Sequence, residues 1–142
     1  MRGRQVIAAL AIVAAAAGCS GSGSSGSSSA TATTTVAMRC RPATALLTSV
    51  LTSGLRPKSV ALRKVTVVRG ADRPDAYYVV ADVTGPNVHA VGLWASTADT
   101  GSGPLFALND VARRTSVWKD ATKTAHPYAL TDAGARFALG CS

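Results

Sequence analysis

Three cysteines, two histidines, seven aspartates and one serine placed three residues before a lysine are the side chains of this 142-residue chain with potential chemistry. In Ser116-Val117-Trp118-Lys119 an amine sits at a spacing from which it can take a hydroxyl proton, and Lys123-Thr124 follows closely. Serine nucleophiles of that kind need a much larger fold and a third motif, so no catalytic residue is assigned. His89 and His126 are not at i, i+4 spacing, and the chain has no glutamate to complete a zinc triad. The aspartates are scattered through turns and caps; Asp72 and Asp75 flank Arg73-Pro74, as turn residues do. A noncatalytic protein with no metal and no cofactor is expected.

Cys19 has a different setting. Arg2 and Arg4 precede an unbroken apolar run, Val6 to Ala17, and small residues, Ala16-Ala17-Gly18, stand directly before the cysteine. That is the anatomy of a signal peptide. Twelve helical residues reach about 18 Å, against a hydrocarbon core of roughly 30 Å, so the run is too short for a permanent span. Ala16-Ala17-Gly18-Cys19 resembles the bacterial lipobox, with alanine where leucine is commonest. The resemblance implies that Cys19 receives a diacylglycerol and becomes the first residue of the mature protein. Two acyl chains, each contributing about 0.8 kcal/mol per buried methylene, suffice for stable attachment. The expected location is the outer face of the cell membrane, with the membrane as partner through the lipid.

With Cys19 lipidated, Cys40 and Cys141 remain as an even pair in an oxidising compartment. They lie near the two ends of the remaining chain and are expected to form a disulfide. No Cys-x-x-Cys is present to suggest redox work.

Between the lipidated residue and the folded part, Ser20 to Thr35 contains only Ser, Gly, Ala and Thr. Such a composition cannot bury apolar area and reads as a linker, with an end-to-end distance of about 20–24 Å as a flexible coil. The organisation is thus a signal peptide (1–18), Cys19 with its linker (19–35) and one small domain (36–142). Both tryptophans, both phenylalanines and all three tyrosines lie after residue 70 and can share a core.

The domain reads as α+β. Leu46, Leu47, Val50 and Leu51 mark one face of a helix over 43–55 that ends at Gly54. Val60 to Leu62 and Val65 to Val68 read as strand; Arg73-Pro74-Asp75 turns the chain into a strand over 76–84, and Gly85-Pro86-Asn87 turns it into another over 88–96. Leu105 to Leu108 reads as a further strand. Asn109 or Asp110 can cap a helical turn through Arg113, although Val111, Thr115 and Val117 also suit a strand. Thr131, followed by Asp132, is placed as the N-cap of a last helix holding Ala135, Phe137, Ala138 and Leu139. The expected fold is an antiparallel β-meander with an N-terminal and a short C-terminal helix packed on one face, tied by the disulfide. Tyr77 to Val83 is apolar on both faces, so the second face is either covered as well or left as an open apolar patch.

Val91-Gly92-Leu93-Trp94-Ala95, Gly103-Pro104-Leu105-Phe106-Ala107, Ala112 with Ser116 and Trp118, Asp132-Ala133-Gly134-Ala135 and Cys141 are similar to segments of small actinobacterial lipoproteins of unknown function. The resemblance covers most of the domain from about Val88 and departs at Arg113-Arg114-Thr115. It implies export and a shared fold, and brings no activity.

Charge gives the remaining clue. Without Arg2 and Arg4 the chain holds thirteen Lys and Arg against seven Asp. Arg56, Lys58, Arg63, Lys64, Arg69 and Arg73 gather this excess early in the domain, as a possible polyanion-binding surface. Outside the membrane the matching partner is an anionic envelope polymer or a protein, not nucleic acid. The expected function is a membrane-anchored, noncatalytic binding or envelope-accessory module. A small hydrolase or transferase acting on the envelope would instead join His89 to an aspartate and a serine in one cleft. A carrier of a small apolar ligand would need an enclosed cavity.

Overall fold

The computed structural model describes residues 37–142; the expected signal peptide, Cys19 and the expected linker lie outside the described residues. In chain order the elements are β1 (Arg41–Pro42), α1 (Ala45–Ser53), β2 (Ala61–Arg69), β3 (Tyr77–Gly85), β4 (Val88–Ser96), β5 (Leu105–Ala107), α2 (Asp110–Thr115), β6 (Lys119–Asp120) and α3 (Ala133–Leu139). The six strands form one sheet in sequential order. All neighbours are antiparallel except β5 and β6, which are parallel. The α+β class and the Cys40–Cys141 disulfide are as expected, the bridge having a Cα–Cα distance of 5.8 Å.

The placement of the terminal helices differs from expectation. Along β3, Val79, Ala81 and Val83 join one core with Leu47 and Leu51 of α1 and Ala112 of α2. Tyr78 and Val80 join a second core with Ala135 and Ala138 of α3. Since side chains alternate across a strand, α1 and α3 pack on opposite faces. The physical reason lies in β3, whose residues 78 to 81 are fully buried and require cover on both sides. Tyr128 helps α3 to cover the second face: its ring stacks on Phe106 at 5.9 Å and meets Tyr78 edge-on at 6.3 Å.

The two short apolar runs, Val60 to Leu62 and Val65 to Val68, fall largely in one strand, β2, joined through a bulge. Arg63 pairs with Asp82 and Thr66 with Val80, so one extra residue is accommodated at Lys64 and Val65. Five positions separate Leu62 from Val67, which in a regular strand would put them on opposite faces. The bulge shifts the alternation by one residue, and both pack against the α1 core. Lys64 takes the strain, with φ of +49°, and its Nζ lies 3.8 Å from the Asp82 carboxylate. A left-handed non-glycine residue costs about 1–2 kcal/mol, part of which glycine returns to unfolded-chain entropy. Lys64→Gly is therefore expected to raise stability by about 0.5–1 kcal/mol in urea unfolding. A lower unfolding midpoint would show that the lysine holds the bulge in some other way.

The helix ends have local causes. Thr44 caps α1, its Oγ1 accepting from the Leu47 N–H at 3.1 Å, while the Ala43 N–H is drawn to Val65 of β2 at 2.9 Å. This pull on Ala43 starts the helix two residues later than its periodicity suggests. Gly54 ends it at φ −87°, in right-handed geometry; glycine is needed there because a Cβ would lie 2.5 Å from the Trp118 ring. In α2 the helix prevails over a strand through Asn109, whose Oδ1 accepts from Ala112 at 2.9 Å and from Leu93 at 3.1 Å. Its Nδ2 donates to the Val91 carbonyl at 2.9 Å, tying α2 to β4. The cap of α3 is Asp132 rather than Thr131, and its carboxylate makes no capping bond. It accepts instead from the buried Tyr78 hydroxyl at 2.7 Å and from the Ala129 N–H at 3.0 Å. Burial, and after it the bond to Asp132, hold the Tyr78 phenol far above its usual range, so it stays protonated and donating.

Candidate functional site

The bridge that closes the domain also sets the direction of its neighbours. Cys141 follows α3 and packs on the second core, so Cys40 reaches toward that face. Alternation then sends Arg39 and Arg41 to the other side. The β1–β2 register pairs Arg41 with Val67, which belongs to the α1 core, and continuing it brings Arg39 alongside Arg69. Arg69 is in turn opposite Tyr77. Arg39, Arg41, Arg69 and Tyr77, with Ala37 and with Asp99 from the β4–β5 loop, line one open recess of about 310 Å³. Asp99 is its only carboxylate, and its Oδ2 accepts from Arg41 Nη2 at 3.1 Å. The Arg69 Nε donates to the Pro74 carbonyl at 2.9 Å, which leaves the terminal nitrogens of that guanidinium free of described partners.

The six basic residues singled out in the sequence are not brought together. Arg56 and Lys58 are exposed in the loop before β2, whereas Arg69 and Arg73 lie at or beyond its far end. Nine residues of strand at about 3.3 Å each separate the two pairs by nearly 30 Å. Only an extended polymer touches both. Arg63 and Lys64 share Asp82, through register and through the ion pair respectively. Arg73 is consumed by the fold: it donates to the Pro127 carbonyl at 2.8 Å and sits 4.4 Å over the Tyr128 ring. It lies 3.9 Å from Asp132 as well. Arg69 alone of the six enters the arginine recess.

No family model, curated protein or solved structure matches this chain.

Ser116 donates to the Ala112 carbonyl at 2.6 Å and accepts from Trp94 Nε1 at 3.2 Å. Its hydroxyl is a strut between α2 and the core. Lys119, three residues on, is exposed on β6. His89 lies with Asp82, Thr84 and Arg63 in an open recess of about 380 Å³ on the second face, where no serine joins them. Among the described residues no group of three metal-ligating side chains converges.

Two further recesses lie elsewhere on the described surface. One, of about 320 Å³, opens at the far end of the sheet between Pro57, Val60, Pro86, Val88, Val111 and Arg114. The other, at the β5–β6 edge, is framed by Phe106, Lys119, Asp120 and Lys123. Here Asp120 is held below the ordinary carboxylate range, chiefly by the Thr122 backbone N–H, with Thr122 Oγ1 and Arg113 adding to it. Arg113 likewise holds Asp110 low through a 2.6 Å hydrogen bond. Arg113, at the point where the resemblance departs, thus fastens α2 in place through Leu108, Asp110 and Asp120. Sequence reasoning missed Arg39 and Arg41 as site residues; the available signal was their position one residue either side of a cysteine paired across the opposite face.

Proposed function

We propose that the protein is a lipid-anchored, extracytoplasmic binding module of the small actinobacterial lipoprotein type, with no catalytic role of its own. The observation that carries this reading is the Cys40–Cys141 disulfide, which joins the two ends of the domain across 101 residues. Such bridges persist in oxidising compartments, in accord with the signal-peptide pattern ahead of Cys19. Among the described residues no helix is long and apolar enough to cross a membrane, and the lipid on Cys19 would supply the attachment. A binding role is supported by the cationic groups of β1 and β2, which outnumber the two carboxylates, Asp99 and Asp82, that pair with them, a surface suited to an anionic envelope component. Globomycin, which blocks the lipoprotein signal peptidase, should make the precursor accumulate, and Cys19→Ala should move the protein out of the membrane fraction. Unchanged mobility and fractionation would overturn the anchor.

A further inference from the structure

We infer that Arg39, Arg41, Arg69 and Tyr77 form a binding site for a phosphate group. Three guanidiniums line the recess against the single carboxylate of Asp99. Two of them, Arg39 and Arg69, line the same recess with like charge, an arrangement that costs free energy unless an anion lies between them. Arg41 is half occupied by Asp99, while Arg39 has no carboxylate partner among the described residues. Arg69 is steadied by its Nε bond to Pro74, so binding through its two terminal nitrogens sacrifices little side-chain freedom.

The number of donors selects the ligand. A carboxylate has two oxygens and is saturated by one guanidinium fork and one or two further donors. Three guanidiniums and the Tyr77 hydroxyl offer more donors than that, and suit the three or four non-bridging oxygens of a phosphate monoester or inorganic phosphate, or the two non-bridging and two ester oxygens of a diester. The recess volume is at the low end of the range for small-ligand sites, enough for a phosphate with a small substituent. The site is open to solvent, so the phosphate can belong to a larger molecule outside it.

Two sources share this chemistry. One is a phospholipid headgroup, which the anchoring proposed above would bring within the linker's expected reach, since Ala37 at the rim of the recess follows that linker in the chain. The other is a free or polymer-borne phosphate. The phosphate site itself does not depend on the anchor; only the headgroup source does.

Isothermal titration of the purified exported chain with inorganic phosphate, pyrophosphate, glycerophosphoglycerol (the deacylated headgroup of phosphatidylglycerol) and acetate tests the assignment. Saturable binding of at least one phosphate compound is expected, at least about tenfold tighter than acetate. Arg39→Gln and Arg69→Gln should each weaken it by about tenfold or more, and Arg69→Lys by less than Arg69→Gln. Arg56→Gln combined with Lys58→Gln removes charge from the far end of the sheet and should change affinity by about twofold or less. Arg39 makes no described side-chain hydrogen bond, so its variant keeps the fold and the reading stands on it alone if the Arg69 variants unfold. Preference for glycerophosphoglycerol over inorganic phosphate identifies the headgroup source, and the reverse identifies the free one. Equal losses in the near and far variants, acetate binding as tight as phosphate, or no saturation would overturn the site.

Discussion

Replacing both Cys40 and Cys141 by serine should lower the free energy of unfolding by about 4–5 kcal/mol, the value expected when a closed loop of roughly 100 residues is released in the unfolded chain. For a domain of this size the midpoint of thermal unfolding would fall by on the order of 20 °C. The native state loses little to offset this, because few interactions hold the N-terminal edge. β1 contributes two ladder positions, Arg41 with Val67 and Pro42 with Thr66, and Pro42 has no N–H to donate. Hydrogen exchange in the double variant should therefore rise first at residues 38–43 and last in β3, which is buried on both faces. Calorimetry with and without reductant measures the first quantity. A loss below about 1 kcal/mol would mean that the unfolded chain is already compact around these ends. The same variant should weaken phosphate binding, because the bridge is what turns Cys40 toward α3 and its neighbours toward the recess.

The strands and their turns were largely legible in the sequence because their signals are local. Val88–Ser96 has the bounds its residues suggest, and Pro86-Asn87, directly after Gly85, separates it from β3 as the turn chemistry implies. Cysteine arithmetic fixed the disulfide. What was not legible depends on distant partners. β1 and β6 are two residues each, too short for any period, and exist only because longer neighbours offer edges to pair with. The alternation of β3 showed two apolar faces but carried no information on which helix would cover which. The bulge at Lys64 was hidden for a related reason: a lysine in left-handed geometry has no sequence signature, and only the joint burial of Leu62 and Val67 requires it. The basic residues 56 to 73 are spread along β2 and its flanking loops, because charge density along a chain is not density in space. An extended strand separates what the sequence places together, while the pairing of β1 with β2 leaves Arg39 and Arg69, thirty residues apart, in one recess.

Gly92→Ala should destabilise the domain by about 3 kcal/mol or more, although glycine is normally a poor strand residue that alanine improves. Gly92 and Trp94 are two apart on β4 and share the face of the α1 core, and the indole folds back along the strand over the glycine. A Cβ on residue 92 would overlap the far edge of that ring and lie 2.8 Å from Val83 Cγ2. In a core of native density a side chain can sometimes shift to admit a methyl group. Trp94 is not free to do so: its Nε1 donates to Ser116 Oγ at 3.2 Å, and Ser116 is itself held to the Ala112 carbonyl. Moving the ring would break the first of these bonds and leave a buried donor unpaired, which costs about 1–3 kcal/mol beyond the overlap. The two substitutions should accordingly be strongly coupled. Trp94→Leu will be destabilising alone, but adding Gly92→Ala to it should cost about 1 kcal/mol or less, because the obstructing ring is gone. Urea unfolding of the two single variants and the double variant measures the coupling, and additive losses would show that the methyl group meets backbone or Val83 instead. Ser116→Ala belongs to the same series. If the serine is a strut, its loss should lower stability by about 1–3 kcal/mol and leave phosphate binding at the distant arginine recess unchanged.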